Sequence, residues 1–321
     1  MRTCIHHDGA LGDAVLSLPC VRGIARETGT VEWIGRSDVG AMLAAVGAVH
    51  AAYDAGGSRF APWHTPQPGA GTLDLLDRYD RVFLFTTSPD SDLARNVSAK
   101  VPDTKVIITM PPHGDRTPVA EFRLRQLPPA LRSAVRKGVE VPAALTAQAD
   151  AALARAGHCG RRPVIMLHPG SGGKHKCWPL ERYFAAAQLL ARRTSAFILL
   201  LAGPAEAGET TARIEDFVRG RERIGSIAGC ELPVAAALLS RSGLFIGNDA
   251  GVSHLAAAVG APVIALFGPT DPALWAPVGE HVEVIAAGTL EEISVDAVCV
   301  AAEASLLQSA PDERMTSRLC P

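Results

Sequence analysis

The chain has 321 residues, of which 48% are hydrophobic and 20% are charged, and its formal net charge is −2. This length allows two domains of about 150 residues each, and the near-neutral charge excludes a global field that would attract nucleic acid. The seven cysteines are far apart and odd in number, which excludes zinc-site spacing and fits a reducing cytoplasm.

The amino-terminal sequence lacks the basic and apolar regions of a signal peptide. The most apolar run, Ala196–Ala202, is too short to cross a bilayer. We therefore expect a cytoplasmic protein without a metal site or a bound cofactor. A local basic patch would still be enough for peripheral contact with the inner face of the inner membrane.

The first predicted strand, Thr3–His7, ends in a turn with glycines at 9 and 12, and a helix is predicted from Ala14 to about Arg26. Pro19 is expected to distort this helix or to move its start. The G-x-x-G spacing falls short of the G-x-G-x-x-G fingerprint, which disfavours a nicotinamide-dependent enzyme. Asp13, at the helix start, has two explanations that the residues alone do not separate. It is either a helix cap or a carboxylate at the top of a strand, facing a cleft.

Strands and helices then alternate through the first half, which predicts a parallel sheet covered by helices on both faces. The predicted strands are Val31–Ile34, Val49–Tyr53, Val82–Phe85 and Val106–Ile108, and the predicted helices are Val39–Val46, Asp90–Ser98 and Val141–Gly157. Two segments, 55–71 and 111–129, interrupt this alternation and are predicted to be loops.

Both loops carry positive charge. A charge run is usually a solvated surface, but guanidinium groups also bind carboxylates and phosphates well. The second interpretation predicts an acceptor site, for which Arg123 and Arg125 are the first candidates and Arg59 the next. The same run includes Arg116, Arg132, Arg136 and Lys137.

The second half opens with the predicted strand Pro163–Leu167 and a glycine-rich loop at 168–179. This loop is not a P-loop, because Lys174 is followed by His175 instead of Ser or Thr. Its backbone N–H groups are nevertheless suited to surround an oxyanion. Further predicted elements are a helix from Pro179 to Arg193, strands Ala196–Leu201 and Ile224–Ile227, helix Pro233–Arg241, strand Val282–Ile285 and helix Glu291–Leu307, before a loose tail at 308–321.

A strand–helix–strand unit lies between residues 244 and 272. Leu244–Ile246 and Pro262–Phe267 are its predicted strands, and Asp249 is predicted to cap the helix between them. Gly251 allows a ligand to approach the backbone closely, so the helix N-terminus is predicted to bind an anion. A buried turn has no structural need for Asn, Asp and His together, which also favours a ligand site here.

The segment GNDAGVSHLAAAVGAPVIALFGPT resembles the nucleotide-sugar motif of glycosyltransferase family 9, the ADP-heptose:lipopolysaccharide heptosyltransferases. GDAVLSLPCVRGI resembles the family's first motif, GDxxLxxPxxxxL, and the 168–179 loop resembles its HPGxxxxxKxWP motif. The resemblance implies an α/β GT-B fold with two Rossmann-like domains facing a central cleft. We predict an acceptor domain at 1–158 and a nucleotide-sugar domain at 159–307.

The resemblance also implies the activity, which is inverting, metal-independent transfer of a heptose from a nucleotide-heptose to an acceptor hydroxyl. The expected donor is ADP-heptose, and the expected acceptor is an anionic glycan or glycolipid, the lipopolysaccharide inner core. By the same resemblance, Asp13 is the general base and Lys176 binds the donor diphosphate. The implied donor ligands are Ser171, Gly172, Glu206 on the ribose, Cys230 in the loop beside the base, Asp249 on sugar hydroxyls, Ala250, Gly251 and His254.

Other functions fit the same motifs. A family member that acts on a protein or a soluble acceptor would keep the donor motifs and differ only in the loops at 55–71 and 111–137. A GT-B nucleotide-sugar epimerase would share the fold and the phosphate turn but would need no acceptor. A non-catalytic nucleotide-binding module would have no use for Asp13, Lys176 and Asp249 together.

Overall fold

The computed structural model describes residues 1–132, 138–160, 162–206 and 208–309. Within these ranges, eleven strands form two parallel sheets, as the alternating pattern predicts. The first sheet has the order β3-β2-β1-β4-β5 and the second has the order β11-β10-β9-β6-β7-β8. The strands are β1 (Thr3–His7), β2 (Val31–Gly35), β3 (Ala51–Asp54), β4 (Arg81–Thr86), β5 (Thr104–Ile108), β6 (Val164–His168), β7 (Phe197–Ala202), β8 (Ile224–Ala228), β9 (Leu244–Asn248), β10 (Val263–Phe267) and β11 (Val282–Ala286).

Helices connect these strands. In the described ranges they are α1 (Leu11–Leu16), α2 (Leu18–Thr28), α3 (Ser37–Ala45), α4 (Asp92–Lys100), α5 (Val119–Arg125), α6 (Ala143–Arg155), α7 (Leu180–Arg193), α8 (Glu209–Val218), α9 (Leu232–Ser240), α10 (Gly251–Ala258), α11 (Pro272–Trp275) and α12 (Val295–Ser309). None of them combines the length and the apolar composition that a membrane-spanning helix requires.

The strand order reverses once in each sheet. The chain moves outward from β1 to β3 and then returns to β4 on the other side of β1, and it does the same at β6 and β9 in the second sheet. Crevices at the carboxyl ends of strands on either side of such a reversal are where open α/β sheets bind ligands. The turn after β1, the glycine-rich loop after β6 and the turn after β9 all lie at these positions.

Three of the predicted elements differ from the structure in detail. The helix predicted from Ala14 to Arg26 is two helices, α1 and α2, and Pro19, which is predicted to distort the helix or move its start, lies in the first turn of α2, the position that proline tolerates best. Part of the loop predicted at 111–129 is helix α5, whose Val119 and Leu124 are buried. The segment predicted as a loose tail begins inside α12, and residues 310–321 lie outside the described residues.

The two sheets meet through α1 and α10 and through α3 and α9. At the first contact the backbones of Gly12 and Gly251 touch, since a Cβ on Gly251 would lie 2.9 Å from the Gly12 nitrogen. The absence of a side chain at Gly251 therefore allows the N-terminal ends of α1 and α10 to come this close. The predicted domain boundary at residue 158 stays a prediction, and α6, which precedes it, packs against α9 of the second sheet.

Candidate active site

A cavity of about 320 Å³ lies where the two sheets meet. Its lining combines the turn after β1 with the glycine-rich loop after β6 and the turn after β9. Asp13 and Gly251, which the sequence predicts on opposite walls of one cleft, both line it. The predicted site residues that it brings together are Asp13, Ser171, Gly172, Lys176, Asp249, Ala250, Gly251 and His254.

Asp13 is held from behind by a buried arginine. The Nη2 of Arg123 donates to Oδ1 of Asp13 at 2.8 Å, and Nη1 donates to the Asp13 carbonyl at 2.6 Å. The Arg123 side chain is 0% exposed, whereas that of Asp13 is 35% exposed. Because Oδ1 is bound by the buried guanidinium and Asp13 lines the cavity, the second carboxylate oxygen, Oδ2, is the one left for the cavity.

The sequence predicts that Arg123 binds the acceptor. In the structure its guanidinium binds the carboxylate of Asp13. Its Nε donates to the carbonyl of Thr109 at 2.8 Å, which completes a set of internal partners. Burial lowers the pKa of Arg123, and the neighbouring Asp13 carboxylate opposes that shift. The side chain of Arg123 has no exposed surface with which to meet an acceptor. Its acceptor role stays a prediction.

A second ion pair forms the opposite wall. The Nζ of Lys176 lies 2.9 Å from Oδ2 of Asp249, and the hydroxyl of Thr270 donates to the same oxygen at 2.8 Å. Here the carboxylate is the buried partner, because the side chains of Lys176 and Asp249 are 31% and 9% exposed. Ser171 donates to the Asp249 carbonyl at 2.8 Å and joins the glycine-rich loop to this wall.

The turn after β9 differs from its sequence interpretation in two ways. Ala250, in extended conformation, occupies the N-cap position of α10, so the prediction that Asp249 caps this helix is wrong. Asn248 has a structural role, since its amide donates to the carbonyls of Pro169 and Gly170. Its oxygen accepts from the backbone of Trp178 and the hydroxyl of Tyr183. Asn248 therefore fixes the glycine-rich loop.

His254 lies between the two walls and is 4% exposed. Its Nε2 is 3.9 Å from Oδ1 of Asp249, and its ring lies beside Gly12. Burial lowers the pKa of His254 to about 4, although the carboxylates of Asp249 and Asp13 oppose the shift. The ring is therefore neutral at pH 7, and Nδ1 has no hydrogen-bond partner among the described residues.

Glu206 lies under the glycine-rich loop and is buried. A Cβ on Gly170 would lie 1.6 Å from its carboxylate, so any larger residue there would displace the Glu206 side chain. Burial alone would raise the pKa of Glu206, but His168 and the Gly203 N–H, which donates at 2.7 Å, together lower it. Its predicted contact with a ribose stays a prediction.

Three other predicted residues do not line the cavity. Cys230 follows β8 and is half-buried. Arg125 is exposed and pairs with Glu121 one turn earlier on α5, and the guanidinium of Arg59 stacks on the ring of Tyr53 at 5.2 Å. Their assigned roles stay predictions, as do any roles of Arg136 and Lys137, which lie outside the described residues.

The sequence interpretation missed several residues at the site. Thr270 and Trp275 reach it from the segment after β10, and His175 lines the cavity beside Lys176. Thr270 ends the nucleotide-sugar motif and His175 adjoins a predicted phosphate ligand, so position in a motif is the signal that could have found them. Two more, His7 and Ser17, lie behind Asp13 and carry no such signal.

The arrangement places complementary chemistry on facing walls. One wall offers a half-exposed carboxylate that can accept a proton. The other offers a lysine and the N-terminus of α10, whose first N–H groups have no partner within the helix and attract an anion. Among the described residues, no three His, Cys, Asp or Glu side chains are grouped as a metal ion would need.

Comparison with known proteins gives consistent results. The family model "Glycosyltransferase family 9 (heptosyltransferase)" matches residues 133–304, more than half of the chain. Lipopolysaccharide heptosyltransferase 3 of Escherichia coli K12 is 32% identical over 132 residues. That alignment covers 40% of this chain and 38% of the relative, so the chain spans about two fifths of this curated relative.

Solved structures match over nearly the whole chain. The ADP-heptose lipopolysaccharide heptosyltransferase II of E. coli has a TM-score of 0.76 at 19% identity, covering 96% of this chain and 99% of that one. A glycosyl transferase family 9 protein of Veillonella parvula has a TM-score of 0.77 at 20% identity, with coverages of 96% and 97%. These matches confirm the predicted GT-B fold.

Proposed function

This chain belongs to glycosyltransferase family 9, and from that premise we propose that it transfers a heptose from ADP-heptose to a hydroxyl of the lipopolysaccharide inner core. One observation carries the proposal: Asp13 and Lys176 face each other across a single cavity of about 320 Å³. Such a pairing provides a base for an incoming hydroxyl and a cation for a departing diphosphate.

The second sheet supplies the donor wall in this proposal. The diphosphate of ADP-heptose binds between the N-terminus of α10 and Nζ of Lys176, where the lysine and the free N–H groups offset its negative charge. Lys176 is held near this position by Asp249 at 2.9 Å. Oδ1 of Asp249, which accepts from neither Lys176 nor Thr270, takes a hydroxyl of the heptose.

The first sheet supplies the base. Oδ2 of Asp13 accepts the proton of the acceptor hydroxyl as its oxygen forms a bond to the anomeric carbon of the heptose. The bond between that carbon and the diphosphate oxygen breaks at the same time, and its electron pair leaves with ADP. Because the nucleophile and the leaving group occupy opposite sides of the carbon, the product has inverted anomeric configuration.

His254 remains neutral in this step. A neutral ring beside Asp249 adds no positive charge that would compete with Lys176 for that carboxylate. The contact between Gly12 and Gly251 brings the two walls together, so that a donor and an acceptor bound between them meet in one cavity. An anionic glycolipid acceptor also implies that transfer takes place at the inner face of the membrane, which we include in the proposal.

The direct test is an assay with ADP-heptose and an inner-core lipopolysaccharide that lacks heptose. We expect stoichiometric release of ADP and a product whose anomeric configuration, read by NMR, is opposite to that of the donor. Thermal-shift measurements with ADP, UDP and GDP should show the largest stabilisation with ADP. Interconversion of the free nucleotide sugar without acceptor would favour an epimerase and contradict the proposal.

A second candidate keeps the donor and changes the acceptor to a protein or a soluble molecule. It is favoured by the placement of two arginines that the sequence assigns to an anionic acceptor, since Arg123 is bound to Asp13 and Arg125 to Glu121. Transfer to such an acceptor, with none to lipopolysaccharide, would support this second function.

A further inference from the structure

Asp13 is the last member of a buried hydrogen-bond chain that begins at His7 on β1. The backbone N–H of Gly9 donates to Nδ1 of His7 at 3.1 Å. The other ring nitrogen, Nε2, lies 3.1 Å from the hydroxyl oxygen of Ser17. Ser17 lies between α1 and α2, at the point where the helix predicted from the sequence is broken.

The donors and acceptors in this chain have one consistent assignment. A backbone N–H can only donate, so Nδ1 of His7 accepts, and the proton of the neutral ring lies on Nε2. Nε2–H therefore donates to Oγ of Ser17, which also receives Nη1 of Arg123 at 2.9 Å. With both lone pairs used, Ser17 gives its own proton to the Asp13 carbonyl, 3.1 Å away.

The surroundings of His7 keep it neutral. Its ring is 1% exposed and stacks between Trp33 and Phe85, with ring centroids 5.4 and 5.1 Å away. Burial, followed by the nearby Arg123 charge, lowers the pKa of His7 to about 3. A second proton would also place an N–H on Nδ1 directly against the N–H of Gly9.

We propose that His7 and Ser17 are positioning residues that, together with Arg123, hold Asp13 in the one orientation in which Oδ2 alone meets the acceptor hydroxyl. This inference rests on the proposed function, because it takes Asp13 to be the base of that reaction. Ser17 fixes both the guanidinium and the Asp13 backbone, and the fork of Arg123 then fixes Oδ1. Catalytic groups displaced by about 1 Å lose on the order of 10²-fold in rate.

The test compares substitutions that separate hydrogen bonding from packing. His7→Leu removes both hydrogen bonds and the stacked ring, whereas His7→Gln also removes the ring but retains a donor near the position of Nε2. We expect His7→Leu to lower kcat by about 30-fold with an unchanged Kd for ADP, and His7→Gln to recover most of that loss. Ser17→Ala, which cannot overfill the core, should match His7→Leu.

His6→Leu is the matched control. His6 lies on the same strand with its side chain on the opposite face, it is also buried, and neither of its ring nitrogens has a hydrogen-bond partner among the described residues. We expect its kcat to equal that of the wild type. Equal kcat values for His7→Leu and His7→Gln would overturn the proposal, as would a loss of ADP binding that parallels the loss of kcat.

A measurement without substrate separates this inference from the proposed function. In the unmodified protein, nitrogen-15 NMR should show His7 with an unprotonated Nδ1 and a protonated Nε2 from about pH 5 to about pH 8. The opposite tautomer, or titration in that range, would overturn the inference even if heptose transfer is observed. The expected tautomer together with no heptose transfer would contradict the proposed function and leave the hydrogen-bond chain intact as the support of Asp13.

Discussion

The two ion pairs of the site are buried in opposite senses. At the first wall the cation, Arg123, is fully buried and the carboxylate of Asp13 is 35% exposed. At the second wall the carboxylate of Asp249 is 9% exposed and the cation, Lys176, is 31% exposed. The more exposed member is therefore the carboxylate in the first pair and the cation in the second, and in each pair the more buried member holds the more exposed one in place.

This difference favours the proposed roles on physical grounds, without reference to any motif. A partly exposed carboxylate with one oxygen engaged retains a free oxygen for proton transfer, whereas a partly exposed lysine retains donors for an anion. The same principle explains why neither wall serves the other's purpose. Arg123 has no exposed surface for a diphosphate, and the oxygen of Asp249 that accepts from neither Lys176 nor Thr270 is the one proposed to take a hydroxyl of the donor sugar.

The strongest test of the comparison is Asp13→Asn, which keeps an acceptor for Arg123 and removes the base. We expect kcat to fall by on the order of 10³-fold, while the Kd for ADP changes less than about twofold. Steady-state kinetics and calorimetric titration with ADP measure the two quantities. Wild-type kcat in this variant would remove Asp13 as the base.

Lys176→Ala removes the exposed member of the other pair. Here we expect both quantities to change, with kcat/KM falling about 10²-fold and the Kd for ADP rising about tenfold, because the diphosphate loses a charge-assisted contact. Lys174→Ala, two residues earlier in the same loop, is the control. A larger effect from Lys174 than from Lys176 would mean that the loop binds the donor through the other lysine.

Asp249→Asn tests the buried member and should have a smaller effect. We expect the affinity for ADP-heptose to fall about tenfold while the affinity for ADP is nearly unchanged, since Oδ1 is proposed to take a sugar hydroxyl. Competition titrations of the two ligands give the ratio. Equal losses for both would show that Asp249 acts only by holding Lys176.

The smallest expected effect is on the pH dependence of the free energy of unfolding. Burial lowers the pKa of His6 to about 4. Between about pH 6.5 and pH 4, His6 is therefore protonated in the unfolded chain and neutral in the folded protein. Its contribution to stability is complete above about pH 6.5 and is lost as the pH falls through that range. His254, with a pKa of about 4, and His7, with a pKa of about 3, add to the same slope.

We therefore expect the free energy of unfolding, measured in urea, to fall between pH 7 and pH 5. His6→Leu should reduce that slope by about 1 kcal/mol per pH unit, because it removes one of the three histidines named above, whose pKa values burial lowers, without removing a hydrogen bond. This histidine lies outside both ion pairs, so kcat should not follow the change. An unaltered slope would mean that His6 is protonated in the folded protein.

The residues that line the cavity could largely be predicted from the sequence, and the support behind Asp13 could not. Lys176, Asp249 and Gly251 lie in motifs that follow strands, so their proximity follows from the rule that the carboxyl ends of parallel strands share one edge. β1 was also predictable to the residue, because a short extended segment ends there at a glycine-containing turn.

The contact between Arg123 and Asp13 joins residues 110 positions apart, and no periodicity connects them. Arg123 lies in a segment rich in proline and arginine, which concealed the short apolar stripe of Val119 and Leu124 and predicted a loop. The same charge run favoured an exposed surface, although tertiary packing buries one of its members completely. Only the fold shows that this arginine serves the carboxylate.

The most direct test of the account is a crystal structure of the protein with ADP. We predict that the diphosphate lies between Nζ of Lys176 and the N-terminus of α10, with Asp13 still bound to Arg123 through Oδ1 and its Oδ2 facing the same cavity. ADP bound instead in the larger cavity of about 750 Å³ at the amino ends of β6 and β9, lined by His158, Arg162 and Arg241, would contradict it.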